Sequence, residues 1–484
     1  MRSPLGPSRL AAVSSSLRSD PSAPGLAPPP SESAARRGGG RIDAHQAAAI
    51  LAAPASGSAR HAWGAAVAVM FVPALLLPVL SARITSDQYL EEALAFQERQ
   101  SIYGVVARYV TWILLVLLAG MLVPRLRNIR LARPGFALWG AAAVFSCAVL
   151  VSACFAFVPH LPAADLVPPL AVTLAFVLPP IEPRRFLRLC QAGILVAAYG
   201  SLVAMAVAPS WALDLHYYEG LIPGFTVRLH GLATHANTLA PLLVLFLLAD
   251  LGYPTRTWRA WLNRCVVLFC LVMTQSKTAW LLAVAGALIH AGVGPWSAGK
   301  RRIMTLVVGA VVVVVGVILV STASTFVQLP WESESVRDLT GRTPIWLATL
   351  DVWRRNPLFG YGPDLWNASM TSQYLSLVGL ATAHAHNQWV QTLGESGLMG
   401  AVPLLLYCST LLVYAVRYGA EARGVALTWT AVILLRTITE TPMRASVGDG
   451  TFQMQFLLFA LLSLCSQAGT TPAHCASGCS RSPA

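Results

Sequence analysis

The chain has 484 residues, 56% of them hydrophobic and 11% charged, with a mean hydropathy of +0.61. Ordinary soluble domains carry about 25% charged residues, so a soluble globular enzyme is excluded and a polytopic membrane protein is indicated. The 34 basic and 21 acidic residues leave a net charge of +13 with only two lysines, Lys277 and Lys300, and on so apolar a chain this excess suggests membrane orientation ahead of nucleic acid.

Residues 1–60 are rich in Pro, Ser, Ala and Gly, with eight prolines and the run Pro28-Pro29-Pro30. They hold too little large apolar surface to offset the entropy of ordering, which predicts a solvated cytoplasmic tail. No apolar run of the kind a cleaved secretory signal needs precedes Trp63.

From there a helical span of roughly 20 apolar residues recurs. Spans are predicted near 63–80, 103–123, 136–158, 165–181, 189–209, 232–250, 265–275, 279–295, 303–323, 398–416, 424–437 and 451–467. The fold class is therefore all-α, with about twelve transmembrane helices: nine over 61–323, a large extracytoplasmic loop with short helices over 324–397, three more over 398–467, and a cytoplasmic tail over 468–484. The pair flanking Thr274–Thr278 is short, so two tilted helices and a re-entrant hairpin both remain open.

Arginine placement orients the spans. The loops carrying Arg125/Arg127/Arg130/Arg133, Arg184/Arg185/Arg188, Arg256/Arg259/Arg264, Lys300/Arg301/Arg302 and Arg417/Arg423 hold fifteen basic residues against Glu182 and Glu421. All five are cytoplasmic by the positive-inside rule, and they fall in every second loop, which puts both termini inside. Residues 210–231 and 324–397 then face outward, and their Trp, Tyr, His and Arg content suits sugar and phosphate binding.

Five polar constellations interrupt the apolar pattern. The first is Arg228-Leu-His230-Gly231-Leu-Ala-Thr234-His235-Ala-Asn237. Arg228 there either grips phosphate with its planar fork or snorkels to headgroups, and His235 and Asn237 either support the ligand or cap the next helix. The second, Thr274-Gln-Ser276-Lys277-Thr278, is a polar hinge whose lysine neutralises an anion or marks a turn. The third runs from Gly341-Arg342-Thr-Pro-Ile-Trp346 to Asn356-Pro-Leu-Phe-Gly360-Tyr361-Gly362. It predicts a helix over about 344–355, with Arg342 just before an N-terminus able to hold an anion. A surface salt bridge with Asp338 is the alternative.

The fourth constellation is His384-Ala-His386-Asn387-Gln388-Trp389, with Asn387, Gln391 and Glu395 recurring at i, i+4 and i+8. No acidic cluster accompanies the two histidines, and i, i+2 spacing does not put both on one helix face, so no metal site is expected. An imidazole near neutral pH suits a general base; packing alone is the alternative. The fifth is Arg436 and Glu440 at the end of the eleventh span, with Arg444 beyond. The cations converge on one outward pocket, which suits a lipid-linked diphosphate. Nine cysteines form no Cys-x-x-Cys pair, which disfavours a disulfide framework or zinc ribbon.

In this order the motifs resemble the O-antigen ligase and Wzy-type polymerase superfamily across about residues 220–402. The matching positions are Arg228/Gly231/Asn237, Ser276/Lys277, Gly341/Arg342/Trp346/Asn356/Pro357/Gly360/Gly362 and His386/Asn387/Glu395/Gly397/Gly400. The wording around 341–346 and 384–387 is similar to exopolysaccharide polymerases of the group, and Lys277 stands where many members have arginine. The resemblance implies a GT-C-like membrane glycosyltransferase with no cofactor and no metal. Its donor would be a glycan on undecaprenyl diphosphate, transferred on the outer side of the cytoplasmic membrane to a glycan or lipid-linked acceptor. It implies that Arg228 and Arg342, with Lys277, bind the diphosphate, and that His386 deprotonates the acceptor while Asn387 and Glu395 position it. His235, Asn237, Trp346 and Arg436 would support the site, and attack opposite the leaving group would invert configuration. Candidate partners are the lipid bilayer, a chain-length regulator and export proteins, but not nucleic acid. A transporter or flippase for an anionic lipid-linked sugar is the competing class.

Overall fold

A computed structural model describes residues 57–77, 102–126, 134–215, 217, 222, 224–233, 235–295, 342–366, 384–443 and 453–469. The described residues are almost wholly helical. In chain order the longer helices are α1 (Gly57–Leu76), α2 (Ile102–Leu126), α3 (Phe136–Phe155), α4 (Val167–Val177), α5 (Pro183–Val207), α6 (Ala236–Gly252), α7 (Trp258–Met273), α8 (Lys277–Val293), α9 (Arg342–Trp353), α10 (Gln388–Tyr418), α11 (Val425–Arg436) and α12 (Gln453–Gly469). The only strands among the described residues are two-residue pieces, Leu213–Asp214 paired antiparallel with Arg228–Leu229.

Eleven of the twelve expected spans coincide with helices, and 303–323 lies outside the described residues. Three segments are by length and composition able to cross a membrane: Phe136–Phe155, Pro183–Val207 and Gln388–Ala422. The first helix opens at Gly57, inside the stretch expected as tail, and α9 opens at Arg342 where 344 was expected. The charged side chain therefore sits on the first turn itself.

Two helices are buried nearly all round. On α6, residues from Ala236 to Gly252 are enclosed by α5, α7, α8 and α11; on α12, Gln453 to Ser466 is buried without interruption. A helix apolar on every face belongs at the centre of a bundle. The outer helices show the converse. Val402, Leu405, Leu406, Val413 and Val416 on α10, and Val196, Val203 and Val207 on α5, are exposed. Such stripes would aggregate in water and fit hydrocarbon.

Among the described residues, arginines of the basic loops gather around Tyr253. Arg184 and Arg423 both lie against the Tyr253 ring, at 5.8 and 5.3 Å from its centroid. Arg264 bonds the Asp250 carboxylate at 2.6 Å, and Arg125 donates to the Leu178 carbonyl at 3.0 Å, closing the C-terminus of α4. Tyr253 follows the last residue of α6, whereas His235 precedes its first. Those 17 residues, at about 1.5 Å each, separate the two ends by about 25 Å.

Candidate active site

At the His235 end of α6 the chain builds a buried polar cluster in two halves. The first is anchored by Arg228, on the short strand pair and 9% exposed. Its Nε donates to the Thr274 carbonyl at 3.0 Å and its Nη2 to Asn237 Oδ1 at 2.9 Å, while the guanidinium lies 4.4 Å from the Tyr217 ring centroid. The Thr274–Ser276 turn between α7 and α8 supplies more than a bend. Gln275, with φ 48°, donates to the Phe225 and Val227 carbonyls at 3.1 and 2.6 Å, fixing the segment that leads into Arg228. Ser276 Oγ donates to Asn237 Oδ1 at 2.9 Å.

Of the two roles that the sequence left open, the structure shows His235 taking the capping one. The backbone N–H of Asn237 donates to His235 Nδ1 at 3.1 Å, capping α6, while the Asn237 side chain reaches into the cluster. Gly231, at φ 58°, faces inward against Ser201, which occupies the place a Cβ would need. That glycine serves close helix packing. Lys277 is the first residue of α8 and is exposed, with no ion pair among the described residues.

The second half is organised by Glu440, which is 2% exposed. Past the end of α11 the chain makes one more turn, with the Glu440 N–H bonded to the Arg436 carbonyl at 2.8 Å. Glu440 Oε2 accepts from His384 Nε2 and from His386 Nδ1, each at 3.2 Å. Its Oε1 accepts from Asn237 Nδ2 at 3.1 Å and lies 3.8 Å from Arg342 Nη2. Arg342 Nη1 donates to the Thr439 carbonyl at 3.0 Å, and Arg436 Nη2 to the Asn237 carbonyl at 2.6 Å. One carboxylate thus joins both histidines to Arg342 and, through Asn237, to Arg228.

The His-x-His turn is held tightly. His386 has φ 50°, and the two imidazole centroids are 4.0 Å apart. Trp346 Nε1 donates to the Ala385 carbonyl at 2.8 Å. Asn387 Oδ1 caps α10 by accepting from Trp389 N and Val390 N at 2.9 and 3.1 Å, and its amide donates to the Ile438 carbonyl at 3.2 Å. A carboxylate only accepts, so His386 Nδ1 carries the proton and Nε2 keeps the lone pair.

Burial raises the cost of charge on Glu440. The hydrogen bonds from His384 and His386 and the positive charge of Arg436 outweigh it and hold the carboxyl well below the usual range. Burial, then neighbouring His384, pushes the His386 imidazole below its ordinary value, against an opposing pull from Glu440. The imidazole is neutral at neutral pH.

An acid distant in sequence therefore does accompany the histidines. The ligand atoms of His384, His386 and Glu440 lie within 4.8 Å of one another, the donor set and spacing of a metal site. Arg342 and Arg436 already compensate the carboxylate, which makes the surroundings favour an anion over a second cation.

Glu395 lies one turn beyond Gln391, whose Nε2 donates to Glu395 Oε1 at 2.5 Å. The carboxylate hydrogen-bonded to the histidines is Glu440. Beside Glu395, α10 is kinked at Gly397, which has φ 59° and ψ −156°, a combination open to glycine. The Asn-Pro…Gly-x-Gly loop clasps this kink by main-chain hydrogen bonds. Tyr361 N and Gly362 N donate to the Gly394 and Glu395 carbonyls at 2.8 and 3.0 Å, and Leu398 N and Met399 N to the Pro357 and Leu358 carbonyls at 3.0 and 2.9 Å.

The structure gathers Arg228, Asn237, Arg342, Trp346, His386, Asn387 and Arg436, with His235 alongside, into one cluster. Lys277 and Glu395 lie at its margin. Glu440, His384, Ser276 and Gln391 stood in the polar motifs of the sequence but had no role assigned to them. An acid and a buried arginine at one end of an apolar span, four residues apart, was the available signal for Glu440. Arg444 lies outside the described residues.

The fold and cluster define an apolar helical bundle with a cationic, histidine-containing site at one end. Residues 265–405 match the family described as O-Antigen ligase (Wzy_C), which bears out the resemblance read from the motifs. That family is one of ligase- or polymerase-type membrane enzymes of polysaccharide assembly, and the match spans 141 of the 484 residues. It includes Ser276, Arg342, His386 and Glu395, while Arg228, Asn237 and Glu440 lie beyond it. No curated protein matches the chain.

Proposed function

We propose that the protein transfers or polymerises glycan from an undecaprenyl-diphosphate-linked donor on the periplasmic side of the cytoplasmic membrane, by a metal-independent, inverting reaction. The observation that carries the reading is Glu440 linking the histidine pair to Arg342 and Arg228. His386 Nε2 takes the proton of the acceptor hydroxyl while Glu440 stabilises the resulting imidazolium. The acceptor oxygen bonds to the anomeric carbon, the carbon–oxygen bond to the diphosphate breaks, and its electron pair leaves on the diphosphate.

Charge accumulates on that leaving group, so fixed cations act most strongly in the transition state. Arg228 uses two of its five N–H donors within the protein and has others for phosphate oxygens. Arg342 and exposed Lys277 supply further charge. Asn387, Glu395, His235, Asn237, Trp346 and Arg436 support these groups. The outward orientation rests on Arg184 and Arg423, from two of the basic loops, lying against Tyr253 at the opposite end of α6. A chain-length regulator and export proteins are the expected partners, and a glycan or lipid-linked molecule the acceptor.

The test is purified protein in liposomes with synthetic polyprenyl-diphosphate glycan and an acceptor. Longer or transferred glycan is expected, with loss of product in Arg228→Ala, Arg342→Ala and His386→Ala at normal membrane levels. Full activity in all three variants overturns the reading. Translocation without transfer would identify a carrier instead.

A further inference from the structure

The fourth motif holds two polar side chains, Gln391 and Glu395, that the transfer chemistry leaves without a direct role. Gln391 is fully buried. Its Oε1 accepts the backbone N–H of Ala385 at 2.6 Å, and its Nε2 donates to Glu395 Oε1 at 2.5 Å. Ala385 is the residue between His384 and His386, and it is itself fully buried. Its other peptide group is taken by Trp346. Both sides of the link between the histidines are thus fixed by side chains from α9 and α10.

The conformation at stake is unfavourable on its own. A non-glycine residue at φ 50°, as at His386, persists only where its surroundings over-determine it. The hydrogen bond from His386 to Glu440 exists only while that turn is held. Glu395 gives the Gln391 amide its orientation, because the nitrogen must face a carboxylate and the oxygen must then face Ala385 N–H. The carboxylate is in turn seated beside the kink that the 357–362 loop clasps.

We propose that Gln391, oriented by Glu395, is a positioning residue that sets the His386 imidazole through the Ala385 peptide, and that Glu395 acts through this relay without touching the acceptor. The proposal rests on the reading of His386 as the base that deprotonates the acceptor.

The test uses the full-length protein in liposomes with the donor and acceptor described above. Gln391→Leu is expected to lower kcat by about 10- to 100-fold with donor KM within about twofold, since a misaligned base costs turnover more than ground-state binding. The acid limb of its pH–rate profile is expected to move to lower pH. Glu440 is the group that favours the charged imidazole, against His384 and Arg342, and its hold weakens when the turn loosens. Gln391→Glu is expected to be equally impaired, because it sets two carboxylates against each other.

Combining Gln391→Glu with Glu395→Gln restores one donor facing one acceptor and is expected to recover turnover to within about threefold of the parent. This exchange keeps the proposal testable even if Gln391→Leu fails to accumulate. Normal kcat and an unmoved pH profile in Gln391→Leu, or no recovery in the exchanged pair, overturns the proposal while His386→Ala remains inactive. Full activity in His386→Ala removes the base itself, and the proposal with it.

Discussion

Asn237 and Glu440, 203 positions apart in the chain, meet side chain to side chain, with Asn237 Nδ2 donating to Glu440 Oε1 at 3.1 Å. On its other side Asn237 accepts from Arg228 and Ser276. Asn237→Asp exchanges this donor for an oxygen facing a buried carboxylate. The expected outcome is a loss of about 1–3 kcal/mol of stability, read by thermal unfolding in detergent, together with at least about tenfold lower transfer. Unchanged unfolding and turnover would contradict the connection.

Glu440→Gln preserves shape and removes charge. An imidazolium forming at His386 then loses its counter-charge, and turnover is expected to fall by about 10²- to 10⁴-fold while donor KM stays close to normal. Initial rates across donor concentration separate the two constants.

The pH dependence follows from the direction of the His386 shift. Its folded value lies below the ordinary 6.5, so the lone pair on Nε2 is available at neutral pH and is lost as pH falls through the folded value. The acid limb of kcat/KM is expected below pH 6.5, and lower again in Glu440→Gln, which lacks the charge favouring protonation. For folding, the depressed carboxyl of Glu440 contributes stability above its ordinary 4.5 that disappears as pH drops through its folded value. An acid limb above 6.5 would be inconsistent with a buried neutral base.

Arg228 and Lys277 are expected to respond differently. Arg228 donates in two directions from one plane while stacked on Tyr217. A lysine cannot reproduce that geometry, so Arg228→Lys should lose turnover to within about threefold of Arg228→Ala. Lys277 is exposed at the start of α8 and contributes unfocused charge. Lys277→Ala should raise donor KM by about 2- to 10-fold and leave kcat intact. Steady-state kinetics of the three variants checks both statements.

Much of the bundle was legible because apolar length and arginine spacing report directly on hydrocarbon. The helices from α3 to α8 fall where hydropathy puts them, and the Thr274–Ser276 hinge where the polar run interrupts it. The cationic residues Arg228 and Arg342 and the base candidate His386 were likewise visible as polar groups at the edges of apolar runs. Glu440 was visible there too but carried no assigned role, because its meaning depends on Asn237 of α6 and on His384 and His386 in the turn before α10, which meet it only in the fold. Glu395 was legible as a motif residue and misleading as to contact: its spacing from Asn387 and Gln391 fixes a helix face, not which carboxylate meets the imidazoles. The short span lengths around α4 and α11 left the number of crossings to composition alone.

The clasp between the 357–362 loop and the kink in α10 has a consequence for how this segment tolerates change. All four bonds across it run from backbone to backbone. Side chains at Leu358 and Phe359 can therefore vary widely without loosening the joint. A single inserted or deleted residue would shift every donor past its acceptor, so register, together with the glycines at 360, 362 and 397, is what heredity must preserve there.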